Sequence, residues 1–365
     1  MELKINYEEM LWTALSPELT ILFTAFFLLL IGLKKNFNTN EYLSKATLVS
    51  IIIALLFSFA LWGSAPTAES GMSPDMFSKS LIHDKFGQTF NIIFLLMAMF
   101  AILGSVRYPQ TGHENKAEYF ALVLMAVVGM MFLAKSGNLI TAFVSLEIFS
   151  ISLYILCGFS AKHGTGKEHP SNAPDLSWAT LASQESTVKY LLTGAFASAI
   201  LVYGMALIYA GTGTTEIRFI GELLHCDEMG ECVNPYSRNT LVYIGMGLLF
   251  AGLAFKVSLV PFHSWTPDVY QGAPTPITGF MSVATKAAAF ALIARVFFTA
   301  FPELNKIWMP ILFGASVITM LIGNIAGLSH DVFILMLTYR CISHPCYLLV
   351  GRFSNSRVFV ASPLF

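Results

Sequence analysis

Charge is what this chain has least of. Only 12% of its 365 residues are Asp, Glu, Lys or Arg, and 55% are hydrophobic, whereas about 25% of a soluble domain is charged. With a mean hydropathy of +0.66, a soluble globular class is excluded and an integral membrane protein is implied. The few charges nearly cancel, to a net -1 and a pI near 6.7, so there is no basic surface for nucleic acid. The N-terminal MELKINYEEMLWTALSPEL carries more acid than base and lacks the positive start of a secretory signal, so the first helix is expected to be retained. Cysteines are few, scattered and odd in number (Cys157, Cys226, Cys232, Cys341, Cys346), which excludes a disulfide framework. His225, Cys226, Asp227, Glu228, Glu231 and Cys232 share one loop. With no CxxC pair and no second ligand cluster they read as an acidic loop rather than a metal site. On an oxidising side, Cys226 and Cys232 would pair. GTGTTE at 211–216 lacks a third glycine and a preceding strand, so it is no dinucleotide fingerprint. Flavin, iron–sulfur and nucleotide motifs are missing too, and electrons are not expected to pass through this chain.

Long apolar runs are what the chain has in abundance. A membrane span needs about 20 largely apolar residues, and runs near that length recur at 16–33, 46–63, 88–105, 119–134, 139–160, 187–210, 240–260, 276–299, 307–328 and 332–351. The expected fold is all-α: a polytopic transmembrane bundle of about ten helices forming one membrane domain over 1–365, with an atypical tail at 352–365. Polar loops at 64–87, 161–186 and 211–239 separate the runs. Lys34, Lys35 and Lys45 in the first loop, against Lys4 before it, put the N-terminus outside and that loop in the cytoplasm.

The stretch KVSLVPFHSWTPDVYQGAPTPITGFMSVATK, Lys256 to Lys286, breaks this regularity. A lysine at the centre of a spanning helix costs roughly 2.5–3.5 kcal/mol on the lenient insertion scale. Pro261 has no amide hydrogen, so the carbonyl of Val257 is expected to lose its helical partner one residue from Lys256. Interrupted backbone at membrane depth is tolerated only inside protein or beside a water-lined cavity. A broken helix flanked by lysines therefore points to an ion path.

Four charges lie in neighbouring apolar helices. Glu147 shares a helix face with Ser150 and Tyr154, at i+3 and i+7; either it conducts, or it is a protonated acid serving helix packing. Lys286 lies about ten residues beyond Pro276, about 15 Å into its helix, among the small residues Gly279, Ser282 and Ala289. Lys256 and Lys189 are nearer helix ends, where a lysine can snorkel to an interface or pair with an acid inside. His263 follows the break and either relays protons or caps freed backbone. Asp268 is expected to cap the re-entering segment.

The central stretch FKVSLVPFHSWTPDVYQGAPTPITGFMSVATKAAAF, with SLEIFSISLYILCGF, KYLLTGAFASAILVYGMALIY and GNIAGLSHDVFILMLTYRCISHPCYLLVG, resembles the N subunit family of proton-pumping NADH:quinone oxidoreductase, respiratory complex I. That family is one of antiporter-like membrane subunits related to the Mrp antiporters. The resemblance runs from about residue 14 to 351. It implies that Glu147, Lys189, Lys256 and Lys286 form a buried proton path, with His263 as a further relay. It implies no cofactor on this chain, with NADH, FMN, iron–sulfur clusters and quinone handled elsewhere in the parent complex. It implies partnership with other antiporter-like and small membrane subunits, in lipid, within a bacterial inner (plasma) membrane.

Two departures stand out. Ile334 and Leu335 occupy the place of a basic pair, and Arg340 and Cys341 stand where small serines belong. Beyond Gly351 the similarity stops, where the family continues for about four helices of a second, inverted repeat. A truncated or frame-disrupted reading of a longer gene is the expectation drawn from this. A stand-alone Mrp-type cation/proton antiporter and a non-conducting scaffold are the alternatives to a redox-driven pump.

Overall fold

The computed structural model describes residues 12–33, 40–65, 75–77, 79–106, 116–159, 175–225, 240–330 and 332–353. The helices are α1 (Ser16–Gly32), α2 (Asn40–Ser64), α3 (Lys85–Ser105), α4 (Lys116–Ala134), α5 (Leu139–Cys157), α6 (Asp175–Thr212), α7 (Ile217–Leu223) and α8 (Thr240–Val257). They continue with α9 (Trp265–Gly272), α10 (Thr275–Phe280), a π-helical turn (Met281–Thr285), α11 (Lys286–Thr299), α12 (Asn305–Ser329) and α13 (Phe333–Phe353). A two-stranded antiparallel hairpin, β1 (Asp75–Met76) and β2 (Leu81–Ile82), pairs Asp75 with Ile82.

Among the described residues, eight helices are long and apolar enough to cross a membrane. The chain is an integral, multi-pass membrane protein. Helix ends move outward from the apolar runs where nothing stops a helix. α2 starts at Asn40, where Glu41 and Lys45 pair at i,i+4, 2.6 Å apart. α6 starts at Asp175, since no proline or glycine interrupts 175–186.

α4 is the centre of the bundle. It packs on α1, α3, α5 and α11, and 78% of its apolar window is buried, against 22% for α12. Phe23, Phe26, Leu30, Ile52 and Leu56 of α1 and α2 stay exposed, as a lipid-facing surface requires. α6 and α8 approach through Gly204 and Gly245: a Cβ at Gly204 would come within 2.6 Å of the Leu249 amide nitrogen and 2.8 Å of the Gly245 oxygen. Small residues permit such backbone contact between membrane helices.

The break comes earlier than Pro261 implies. α8 ends at Val257, because Ser258 adopts a left-handed φ of +67°. The amides that follow find partners inside the protein: Leu259 N bonds to Ala254 O at 2.9 Å, and Val260 N to Thr319 Oγ1 of α12 at 2.9 Å. Trp265 Nε1 donates to Phe255 O at 3.2 Å, and Thr266 Oγ1 to Ser258 Oγ at 2.7 Å. Ser258 and Leu259 are thus buried in protein with their amides paired, as irregular backbone at membrane depth requires, whereas Pro261, Phe262 and Ser264 of the same segment are exposed.

Candidate functional site

α5 carries Glu147, Ser150 and Tyr154 along one face, as their spacing implies. Ser198 of α6 donates its hydroxyl to Glu147 Oε1 at 2.6 Å. Lys256, 5% exposed at the end of α8, donates to Ser150 Oγ at 2.9 Å and to the Tyr154 hydroxyl at 3.4 Å. Its ammonium also lies 5.9 Å from the Phe149 ring centre and 5.7 Å from that of Tyr154, within cation–π range. So Lys256 does not snorkel. Glu147 and Lys256 do not meet as an ion pair; each is held by hydroxyls, and the two charges share a face across them. Gly194 on α6 makes this possible, because a Cβ there would overlap the Tyr154 hydroxyl.

Lys286 is 2% exposed and sits directly after the π turn, a distortion common at functional sites. Its Nζ donates to the carbonyl of Cys341 on α13 and lies 5.9 Å from the Tyr270 ring centre. The two buried lysines are joined by aromatic rings. Tyr154 meets Tyr190 edge-on at 4.6 Å, Tyr190 stacks on Trp265 at 4.8 Å, and Trp265 meets Tyr270 edge-on at 6.2 Å. The broken segment supplies Trp265 and Tyr270 of this wall. Among the described residues, the Tyr270 hydroxyl and His263 Nδ1 are buried without a hydrogen-bond partner; an unpaired polar group in such a place calls for water or function.

Lys189 stands apart from the buried group, contrary to the implied axis. It is 42% exposed, with Glu185 Oε1 and Asp268 Oδ2 each 2.6 Å from its Nζ. The three line a cleft of about 300 Å³ with Ala182, Ser186, Gln271 and Gly272. Asp268 is not a cap either: it lies within the first turn of α9, and its carboxylate faces Lys189. The reason is tertiary, since α9 packs on α6 and turns Asp268 toward it. Tyr190, the neighbour of Lys189, belongs to the aromatic wall, so this cleft lies beside that wall.

A second set of buried charges escaped the sequence reading. Glu18 of α1 and Lys135, just past α4, pair at 2.6 Å with 0% and 2% exposure. Arg295 of α11 makes a bidentate pair with Asp84 at 2.9 and 3.0 Å. Lys135 in FLAKSGN and Arg295 in FALIARVFF carried the available signal, a charge within an apolar run. His83, next to Asp84, is held below its ordinary pKa by burial first and by the charge of Lys135 second. Among the described residues no group of His, Cys, Asp or Glu could hold a metal. Residues 226–239, including Cys226 and Cys232, lie outside the described residues.

A polytopic bundle with an interrupted helix flanked by the buried Lys256 and Lys286, and the partly buried Glu147 beside it, defines an antiporter-like membrane protein. Residues 176–363 match the family described as NADH:quinone oxidoreductase/Mrp antiporter, TM, and the chain belongs to that family. It is 37% identical over 349 residues to "NADH-quinone oxidoreductase subunit N" of Trichlorobacter lovleyi, covering 96% of this chain and 65% of the relative. It is 39% identical over 282 residues to the protein of that name from Moorella thermoacetica, covering 77% of this chain and 54% of the relative. The chain thus spans less than two thirds of the length of these relatives. Among solved structures it is similar to a chain of respiratory complex I from Thermus thermophilus with bound aureothin, at a TM-score of 0.68 and 30% identity, over 93% of this chain and 64% of that one. The archaeal membrane-bound sulfane sulfur reductase shares the fold, at a TM-score of 0.73 and 21% identity, over 93% of this chain and 64% of that one.

Proposed function

We propose that the chain moves protons as the N-type membrane subunit of NADH:quinone oxidoreductase, driven by NADH-to-quinone electron transfer in other subunits. NADH, FMN, iron–sulfur clusters and quinone are bound elsewhere in that assembly, and this chain contacts its membrane subunits in a bacterial inner membrane. The observation that carries the reading is Lys256, a buried ammonium with hydroxyl and ring partners but, among the described residues, no carboxylate paired to it. Such a group is costly to bury and gives up its proton readily when a nearby negative charge withdraws.

A proton enters at the Lys189–Asp268 cleft and reaches Lys256 through the Tyr154 side of the site. Glu147, held by Ser198 on the same face, stabilises the charged form of Lys256. When its charge is neutralised, Lys256 releases its proton toward Lys286. The Tyr270 hydroxyl and His263 Nδ1, each buried without a hydrogen-bond partner among the described residues, offer places for a carrying water along that step. Lys286 then holds the charge against the Cys341 carbonyl and the Tyr270 ring.

The test is the proton-to-electron ratio of the assembled complex in vesicles, with Glu147→Ala and Lys286→Ala compared with wild type. A fall in both supports the reading. A chain purified without any NADH-oxidising assembly, yet exchanging cations for protons, would instead favour the Mrp-type antiporter.

A further inference from the structure

The Glu18–Lys135 pair and the Asp84–Arg295 pair form one contiguous polar cluster. Lys135 Nζ donates to Glu18 Oε1 and, at 3.2 Å, to the Ala14 carbonyl. Asn91 Nδ2 donates to the same Glu18 oxygen at 2.7 Å. Arg295 Nε holds the carbonyl of Ala134, the neighbour of Lys135, at 2.9 Å, and its guanidinium holds Asp84. Gln88 Nε2 lies 3.3 Å from His83 Nδ1. With His83 neutral, two carboxylates face two cations and the cluster carries no net charge.

Its hydrogen bonding is incomplete on one side only. Glu18 Oε2, Gln88 Oε1 and Asn91 Oδ1 are buried without a partner, and all three residues are 0% exposed. Each orphan is an acceptor, so what completes the site must bring hydrogens or positive charge. A buried acceptor left empty is costly, and three on neighbouring residues would be a heavy loss. A metal cation suits the site poorly, because Lys135 already lies 2.6 Å from the other oxygen of the same carboxylate. Water fits: it carries two donors, and a buried water typically makes about three hydrogen bonds to otherwise unsatisfied groups.

The cluster sits at the far end of the bundle from the Lys189 cleft. Leu139 N, four residues after Lys135, bonds to Thr215 O just beyond α6 at 2.9 Å. From Thr212 back to Lys189, α6 runs about 35 Å at 1.5 Å per residue. Arg295 is nine residues beyond Lys286 on α11, about 14 Å along the same helix. Lys286 therefore stands between the cleft and this cluster.

We propose that the ends of α1, α3 and α4 enclose a water site on Glu18, Gln88 and Asn91, and that this water makes the Glu18–Lys135 pair a proton-exchange station at the hairpin end of the bundle. A proton delivered through the water bonds to Glu18 Oε2 and gives the neutral acid, and its departure to the same water restores the carboxylate. Glu18, Lys135, Asp84, Arg295 and His83 are the charged and titratable groups that set this exchange.

Two measurements test it, and the second rests on the conducting reading above. In an experimental structure of the assembled wild-type complex that shows ordered water, density is expected within hydrogen-bonding distance of Glu18 Oε2 and an Asn91 or Gln88 carbonyl. In vesicles, the charge-balanced double variant Glu18→Gln, Lys135→Met is expected to assemble and to show a several-fold fall in proton uptake per electron. A dry pocket, or wild-type uptake in the assembled variant, overturns the inference. If that variant does not assemble, Gln88→Leu, Asn91→Leu removes two acceptors and no charge, and is read by the same two outcomes. Lys286→Ala run alongside separates the claims. Uptake lost there but kept in the double variant sinks only the station, whereas uptake kept in Lys286→Ala sinks the conducting reading and leaves the water density to decide the site.

Discussion

Lys286 places its ammonium on the main-chain carbonyl of Cys341, not on a side chain. The charge at the end of the lysine pair is therefore met by α13 backbone, and the identity of residue 341 matters little to it. This accounts for a cysteine standing where the resemblance led to a small serine. Cys341→Ser is expected to leave proton uptake and assembly near wild type. A large loss measured in vesicles would show that the thiol itself takes part.

Gly194 has the opposite character. Its missing Cβ leaves room for the Tyr154 hydroxyl that accepts from Lys256. Gly194→Ala forces the ring aside, and overpacking of this kind costs about 1–3 kcal/mol. The expected outcome is a lowered thermal midpoint together with a reduced proton-to-electron ratio. A normal ratio in the assembled variant would remove Tyr154 from the account.

Arg295 and Asp84 are a buried bidentate pair, 7% and 12% exposed at the side chain. Removing one partner of such a pair costs about 3–5 kcal/mol, because the other charge is left buried alone. Arg295→Met is expected to reduce the yield of folded protein sharply, and Arg295→Met with Asp84→Asn to recover much of it, because Asn keeps an acceptor for the Gly87 amide that Asp84 Oδ1 takes at 2.8 Å as it caps α3. Thermal unfolding of the purified protein measures both.

Lys189 is half exposed, and its two ion pairs at the cleft contribute little to stability, since exposed pairs are worth about 0–1 kcal/mol and are screened by salt. Lys189→Ala is expected to keep the thermal midpoint near wild type and to slow proton uptake. The slowing should shrink at high ionic strength, where the cleft's field is already screened.

His83 gives the pH dependence. Burial and Lys135 lower its pKa, so the unfolded chain binds the proton more readily than the folded one. Stability is full above the ordinary histidine value of about 6.5 and falls as pH drops below it toward the lowered folded value. The thermal midpoint is expected to fall between about pH 7 and 5.5, and less so in His83→Gln. Equal slopes in the two proteins would contradict this.

Much of the fold is legible in the apolar runs, because a membrane span announces itself by length and composition alone. The Glu147, Ser150 and Tyr154 face is equally legible, since helical spacing fixes it locally. What the sequence could not yield depends on which helices meet. The position of Lys189 opposite Asp268 follows from α9 docking on α6, and the aromatic wall from Tyr190 meeting Trp265. The early end of α8 rests on one left-handed residue, Ser258, with no proline or glycine to mark it. Glu18 and Lys135 are 117 residues apart in the chain, and only packing reveals them as partners.

The central claim is that protons pass between Lys256 and Lys286 under the influence of Glu147. Its most direct test is the number of protons moved per electron by the assembled complex in sealed vesicles, measured for wild type, Glu147→Ala and Lys286→Ala at matched assembly. The account predicts a clear fall in both variants. An unchanged ratio in both would contradict it.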